Sequence, residues 1–358
     1  MQSTSSTTGN IRGRARAPVF VLGSPRSGTT MLYDMLLSAG GFAVYLAESN
    51  VFNLLLPSFG DLGIKRNRQK LLDAWLQSKL YQATGLNAED IRRKILDHCH
   101  HGGDFLRIVM DEIARAQGMQ RWAENSPEGM LHIPTIKALI PDALFIHTIR
   151  DGRDVAMSLQ RLKYVRPFPW EERQNLVGAG LYWEWIVHRG RKYGPSLGPD
   201  YMEVHFEDLL SSSQETLNKI GAFLDHELDY ERIRQVAYGS LTKPNTSFRS
   251  ESPNAAFSPV GRWKMGFPPD QLFRFERMVG VTMQELGYTP ATDGPAHGFT
   301  AEMKMTRTIY RNYFEAKLRL KSSTLMRFVR PLTADRINQI VLADDHPPTL
   351  KRIVSQSS

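Results

Sequence analysis

The most constraining stretch of this chain is its first apolar run, Ala17-Pro-Val-Phe-Val-Leu-Gly23, together with the loop and helix directly after it. Bulky and β-branched, residues 18–23 read as a buried strand that stops at a glycine. A Gly/Pro/Ser loop comes next, and an apolar helix is predicted from Thr29 to Ala39. Two later runs repeat the pattern. Ala143–Ile149 ends at Arg150-Asp151 and passes into a helix over Val155–Leu162, and Tyr201–Phe206 precedes a helix from Gln214 to Leu224. Strands that each feed a helix imply parallel pairing and a sheet covered on both faces. The expectation is an α/β fold with a P-loop-like parallel sheet. A mostly helical insertion, about 50–125, should lie over the carboxyl ends of the strands, where ligands bind in such folds.

Composition sets the limits of the domain. With 41% hydrophobic and 23% charged residues the chain can bury a full core, which excludes collagen-like, coiled-coil and wholly disordered architectures. The net charge of +8 suggests an anionic partner until it is located. Residues 1–17 carry three arginines and no acid, and residues 291–358 carry 11 basic against 6 acidic residues, whereas 18–290 holds 31 of each. The expected organisation is therefore a disordered tail over 1–17, a neutral domain over 18–290 and a basic helical extension over 291–358. A neutral body speaks against a nucleic-acid partner. The single cysteine, Cys99, leaves no intrachain disulfide and fits a reducing, cytoplasmic setting. No run approaches the roughly 18–20 apolar residues of a membrane span.

The loop after the first strand, Gly23-Ser-Pro-Arg26-Ser27-Gly28-Thr29-Thr30, has two glycines five apart, so its amides and the following helix start can wrap an anion. It is nearly the phosphate loop G-x-x-x-x-G-K-[ST], but Thr29 stands where the lysine would be and Arg26 supplies the cation instead. That change disfavours a kinase or other phosphotransferase, which also needs magnesium ligands. Glycines kept for packing alone would leave unexplained a guanidinium and three hydroxyls at one helix start.

Pro25-Arg-Ser-Gly-Thr-Thr30 resembles the 5′-phosphosulfate loop of the sulfotransferases that use 3′-phosphoadenosine 5′-phosphosulfate (PAPS), in the form found in tyrosylprotein and many bacterial members. The family's other elements follow in order. Arg150-Asp-Gly-Arg-Asp-Val-Ala-Met-Ser158 resembles the 3′-phosphate element, which implies that Arg150 and Ser158 hold that phosphate. Val204–Leu210 resembles a strand ending in Tyr-Glu-Asp, Thr246-Ser-Phe248 resembles the pair that holds the adenine, and Gly261-Arg262-Trp263-Lys264 resembles the Gly-Asp-Trp-Lys that closes the cofactor site. The resemblance covers 18–290. It implies an enzyme that moves a sulfuryl group in line from PAPS to a hydroxyl or amine without a metal. A non-catalytic nucleotide-binding relative is the remaining alternative.

Some positions depart from the pattern. Phe206 replaces the family's tyrosine, Met31 replaces an aromatic residue, and Asn125 in Trp122-Ala-Glu-Asn-Ser-Pro127 stands where many members place lysine. The Arg-Lys-Gly before Gly-Asp-Trp-Lys is missing, with Arg262 or Arg249 as substitutes. The general base implied by the resemblance is Glu48, in Leu46-Ala-Glu-Ser49, and His132 is the second choice. His98-Cys-His-His101 is not read as a metal site, because adjacent ligands on one helical turn point apart. The acceptor, whether small molecule, carbohydrate, lipid or peptide, is not named by any motif. The basic extension suits an anionic membrane surface or a second copy of the chain.

Overall fold

The computed structural model describes residues 11–165, 168, 176–241, 258–292, 299–323, 327, 329 and 331–343. Five strands form one sheet: β1 (Val19–Gly23), β2 (Phe42–Ala43), β3 (Arg121–Asn125), β4 (Leu144–Ile149) and β5 (Tyr201–His205). Their order is β2-β3-β1-β4-β5, and each pair of neighbours is parallel. The main helices are α1 (Thr29–Ala39), α2 (Gly102–Ala116), α3 (Gly152–Arg161), α4 (Leu176–Tyr193), α5 (Pro269–Glu285) and α6 (Ala301–Lys321). The α/β fold with a parallel sheet flanked by helices is thus the one the strand–helix pattern predicts.

Alternation along β1 divides the core. Val19 and Val21 pack with Ala123, Leu144 and Ile146 beneath Leu32 and Leu36 of α1. Phe20 and Leu22 face the other way, where Phe20 meets Phe145 at 5.7 Å and Trp122 at 5.9 Å between ring centroids. The insertion and α4 cover that second face through Phe105, Met110, Trp183 and Ile186.

Three expectations change. First, the insertion expected to be mostly helical over about 50–125 closes with a strand of the sheet: β3 reads Arg-Trp-Ala-Glu-Asn, with no apolar run to mark it, yet all five residues are buried. Arg121 is tolerated there because its guanidinium donates to the carbonyls of Ala17 and Leu224 at 2.7 and 2.9 Å. Second, the tail is not free over its whole length, since Arg14 pairs with Asp200 at 3.1 Å and Ala17 is buried. Third, α6 of the basic extension belongs to the core. Phe314 is buried against Tyr182 and Trp185 of α4, Tyr310 is buried beside it with its ring against Gly178, and Arg307 pairs with Glu184 at 2.9 Å. The basic residues of α6 are in part neutralised by its own domain.

Candidate active site

β1 lies between β3 and β4, so the loop that leaves it stands mid-sheet at the carboxyl edge. Gly23 ends the strand where a side chain has no room: a Cβ would lie 2.6 Å from the carbonyl oxygen and Oγ1 of Thr148. Further along the loop, the chain turns into the left-handed region at Arg26, φ 74°. A non-glycine residue there costs on the order of 1 kcal/mol, so the turn must be held by its contacts. It is. Arg26 Nε donates to Ser158 Oγ at 2.9 Å, and the Arg26 carbonyl accepts from Arg150 Nη1 at 2.9 Å.

Arg150 leaves the end of β4 and Ser158 sits in the second turn of α3, so the two phosphate elements predicted from sequence meet at the loop. Phe206 completes the group. It opens a helix, Phe206–Ser211, immediately after β5 rather than ending the strand. Its ring lies 2.1 Å from where a Gly28 Cβ would be, and the Arg150 guanidinium stands 4.5 Å from its centroid. Without the tyrosine hydroxyl, the residue contributes a flat apolar wall.

The loop suits an anion. Ser27 Oγ and Arg150 Nε are buried with no hydrogen-bond partner among the described residues. Each such group costs about 1–3 kcal/mol when left unpaired, an expense that an anionic oxygen accepting from it would offset. Burial draws the Arg150 pKa down, and the Asp154, Glu207 and Asp151 carboxylates oppose that shift. Thr29 is buried with its methyl toward Gly23, while Thr30 Oγ1 accepts from Asn125 Nδ2 at 3.4 Å. Asn125, which stands where many members of the family place lysine, is thus beside the loop. The closing segment is also near, because Arg150 Nη2 donates to the Pro259 carbonyl. Gly261 has φ 72°, Arg262 is half-buried, Trp263 is buried, and the exposed Lys264 holds its Nζ 5.8 Å from the Trp263 ring. Thr246, Phe248 and Arg249 lie outside the described residues.

Glu48 is half-buried in the stretch between β2 and a π-helical turn, Val51–Leu55. Its carbonyl accepts from Asn50 Nδ2 at 3.1 Å. The neighbouring Ser49 donates through Oγ to Oε1 of Glu124 at 2.6 Å. Glu124 is the residue that sequence reasoning missed. It is 2% exposed, its Oε2 has no hydrogen-bond partner among the described residues, and burial pushes its carboxyl up to about 8 despite Ser49. Its strand reads Arg-Trp-Ala-Glu-Asn, so no apolar pattern marked the residue as buried.

His132 ends a 3₁₀ turn, Pro127–His132, and is half-buried. Burial, with Lys321 and Arg189 nearby and Glu128 opposing them, brings its pKa down to about 4. The His98–His101 run has a structural explanation: His101 Nδ1 accepts from the Asp104 amide at 3.1 Å, capping α2. Among the described residues no group of three or more His, Cys, Asp or Glu is arranged to hold a metal.

A family described as the sulfotransferase family matches residues 18–230. Protein-tyrosine sulfotransferase A of Caenorhabditis elegans is 23% identical over 322 residues, which is 87% of this chain and 78% of that protein. The protein-tyrosine sulfotransferase of Drosophila melanogaster is 22% identical, covering 85% of this chain and 60% of that protein. Among solved structures, the sulfotransferase domain of the Synechococcus PCC 7002 olefin synthase aligns with a TM-score of 0.48 and 18% identity over 83% of this chain and 94% of that one. Mouse sulfotransferase SULT7A1, complexed with PAP, aligns with a TM-score of 0.42 and 15% identity over 75% and 85%.

Proposed function

The chain belongs to the sulfotransferase family, as a PAPS-dependent enzyme, and from that premise we propose that it moves a sulfuryl group in line to a hydroxyl or amine of an acceptor at the carboxyl edge of the sheet. The bound nucleotide supplies the activated sulfuryl group and, in its 5′-phosphate, the leaving group. Arg26, the amides of residues 28–30 and the start of α1 stabilise the negative charge that develops there, while the Ser27 amide closes the loop on the Ser24 carbonyl at 3.0 Å. Arg150 and Ser158 hold the 3′-phosphate, and Phe206 and Trp263 bound the nucleotide with their rings. Glu48 takes the proton from the acceptor. By analogy with phosphoryl transfer, positioning and charge stabilisation supply the catalysis. Arginines provide the cationic charge in this scheme, so no metal is assigned a role.

One observation carries the reading: Arg26 of the loop is bonded to both Ser158 and Arg150, 2.9 Å each, which joins the two phosphate elements in one place. The names of the relatives support a phenolic hydroxyl as the first acceptor to try, with carbohydrate, lipid and other small-molecule alcohols beside it. Calorimetry with 3′-phosphoadenosine 5′-phosphate (PAP) tests the nucleotide site. Binding without metal is expected, and Arg150→Ala should weaken it by about 100-fold or more, the loss of charge-assisted hydrogen bonds to a phosphate. A preference for ATP with magnesium, or unchanged PAP affinity in Arg150→Ala, overturns the assignment.

A further inference from the structure

The Arg150-Asp-Gly-Arg-Asp154 run does more than end a strand in a phosphate ligand, because each of its charged side chains is tied to the segment 259–264 or to the groups that brace it. Arg150 donates to the Pro259 carbonyl. Asp154, 2% exposed in the first turn of α3, accepts from two amides of that segment, Gly261 N–H at 2.8 Å on Oδ2 and Trp263 N–H at 2.9 Å on Oδ1. Arg153 lies under the Trp263 ring, 3.6 Å from its centroid. Its guanidinium is fixed from the other side by Asp151, Nη2 to Oδ2 at 2.8 Å, and by Glu276 of α5 at 2.8 Å. Glu276 in turn accepts from the amides of Ala291 and Thr292.

A single buried carboxylate that takes two amides two residues apart fixes both the path and the rotation of the chain between them. Gly261 can adopt its φ of 72° freely, and the clamp selects that conformation. Since Arg150 holds the same segment by its Pro259 end, the clamp lies at the 3′-phosphate side of the site and not over the sulfuryl group.

We propose that Asp154 is a positioning residue for the nucleotide's 3′-phosphate end, clamping Gly261 and Trp263 so that the segment 259–264 stands preformed beside Arg150, with the Arg153–Asp151–Glu276 cluster as its brace. This rests on the reading of Arg150 as the 3′-phosphate ligand. A preformed wall removes the ordering cost from binding, which is how such a clamp raises affinity without touching the ligand.

The test compares PAP with adenosine 5′-phosphate, which lacks the 3′-phosphate, in wild type, Asp154→Asn and Asp154→Ser. Losing a charge-assisted hydrogen bond of the clamp should weaken PAP by roughly tenfold or more, while adenosine 5′-phosphate changes less than about threefold. Equal weakening of both nucleotides, which general loosening of the domain would give, overturns the proposal, and so does PAP affinity within about twofold of wild type. Hydrogen exchange adds an arm that needs no variant. In the wild-type chain PAP should slow exchange at Gly261 and Trp263 more than adenosine 5′-phosphate does, and equal slowing by both counts against the clamp. Arg150→Ala separates the two claims: if it leaves PAP affinity intact, the cofactor reading fails first.

Discussion

Around the loop after β1, charge is held by charge and by backbone. Arg26 bonds with Arg150, and the segment 259–264 links Arg150 to Asp154 and to the Arg153–Asp151 pair, so contacts run from the anion loop to α5. Around Glu48 the arrangement is different: Glu124 is buried with a serine for a partner and Tyr33 and Tyr45 as polar neighbours, each tyrosine held well above its usual pKa chiefly by burial. In the first region the arginines keep their charge across neutral pH, while burial raises the Asp154 carboxyl against the opposing charge of Arg150. The second contains a carboxyl whose protonation changes within reach of neutrality. A candidate nucleotide side rich in permanently charged arginines thus sits beside a candidate acceptor side with a buried carboxyl that titrates near 8.

The largest test of that division is Glu48→Gln. A general base removed at the acceptor side should lower turnover by about 10²- to 10⁴-fold, with PAP affinity within about twofold of wild type. Transfer from PAPS to a panel of phenols of differing acidity reads it. The loss should shrink as the phenol becomes acidic enough to give up its proton unaided. Turnover near wild type with weakly acidic phenols removes Glu48 from the mechanism. A parallel loss of PAP binding erases the division itself.

Glu124→Gln probes the same side through stability. In the folded chain this carboxyl titrates near 8, against an ordinary value near 4.5, so the unfolded chain releases its proton first. Wild-type stability is therefore expected to fall as pH rises from about 4.5 to about 8 and to level off above. Glutamine keeps an oxygen for Ser49 and does not titrate. The variant should match wild type near pH 5 and be the more stable of the two near pH 9, by on the order of 2 kcal/mol or more. Urea midpoints at those two pH values decide it. Parallel pH curves for the two proteins would mean that Glu124 is ionised throughout.

The same contrast explains what could be read from sequence. The nucleotide side was legible because its chemistry lies within two short runs, Pro25–Thr30 and Arg150–Ser158, each fixed by a strand end and a helix start. Phe206 was legible as a position but not as the ring that fills the face of Gly28. Glu124 was not, since its strand has charged and polar residues where a buried strand is expected to be apolar, and only tertiary contacts satisfy them. Helix α4 escaped for the opposite reason. It is buried on several sides, with Trp183, Glu184 and Trp185 all buried in succession, so no apolar stripe marks it. The role of α6 could not be read from its charge, because Arg307 and Glu315 find their partners Glu184 and Arg189 on a helix more than a hundred residues earlier.

His132 offers the smallest effect and the sharpest division within the acceptor side. Its charged neighbours are Lys321 of α6, Glu128 and Arg189, and its pKa of about 4 keeps the ring neutral from pH 5 upward. A histidine held below its usual value favours the fold above about 6.5 and withdraws that support as pH falls toward 4, where the unfolded chain takes up the proton first. His132→Gln should therefore leave turnover within about threefold of wild type, well short of the factor that loss of a general base brings. It should also reduce the acid sensitivity of folding between pH 6.5 and 4. Should His132→Gln abolish turnover while Glu48→Gln does not, the base lies under α6, and the basic helix becomes part of the catalytic site.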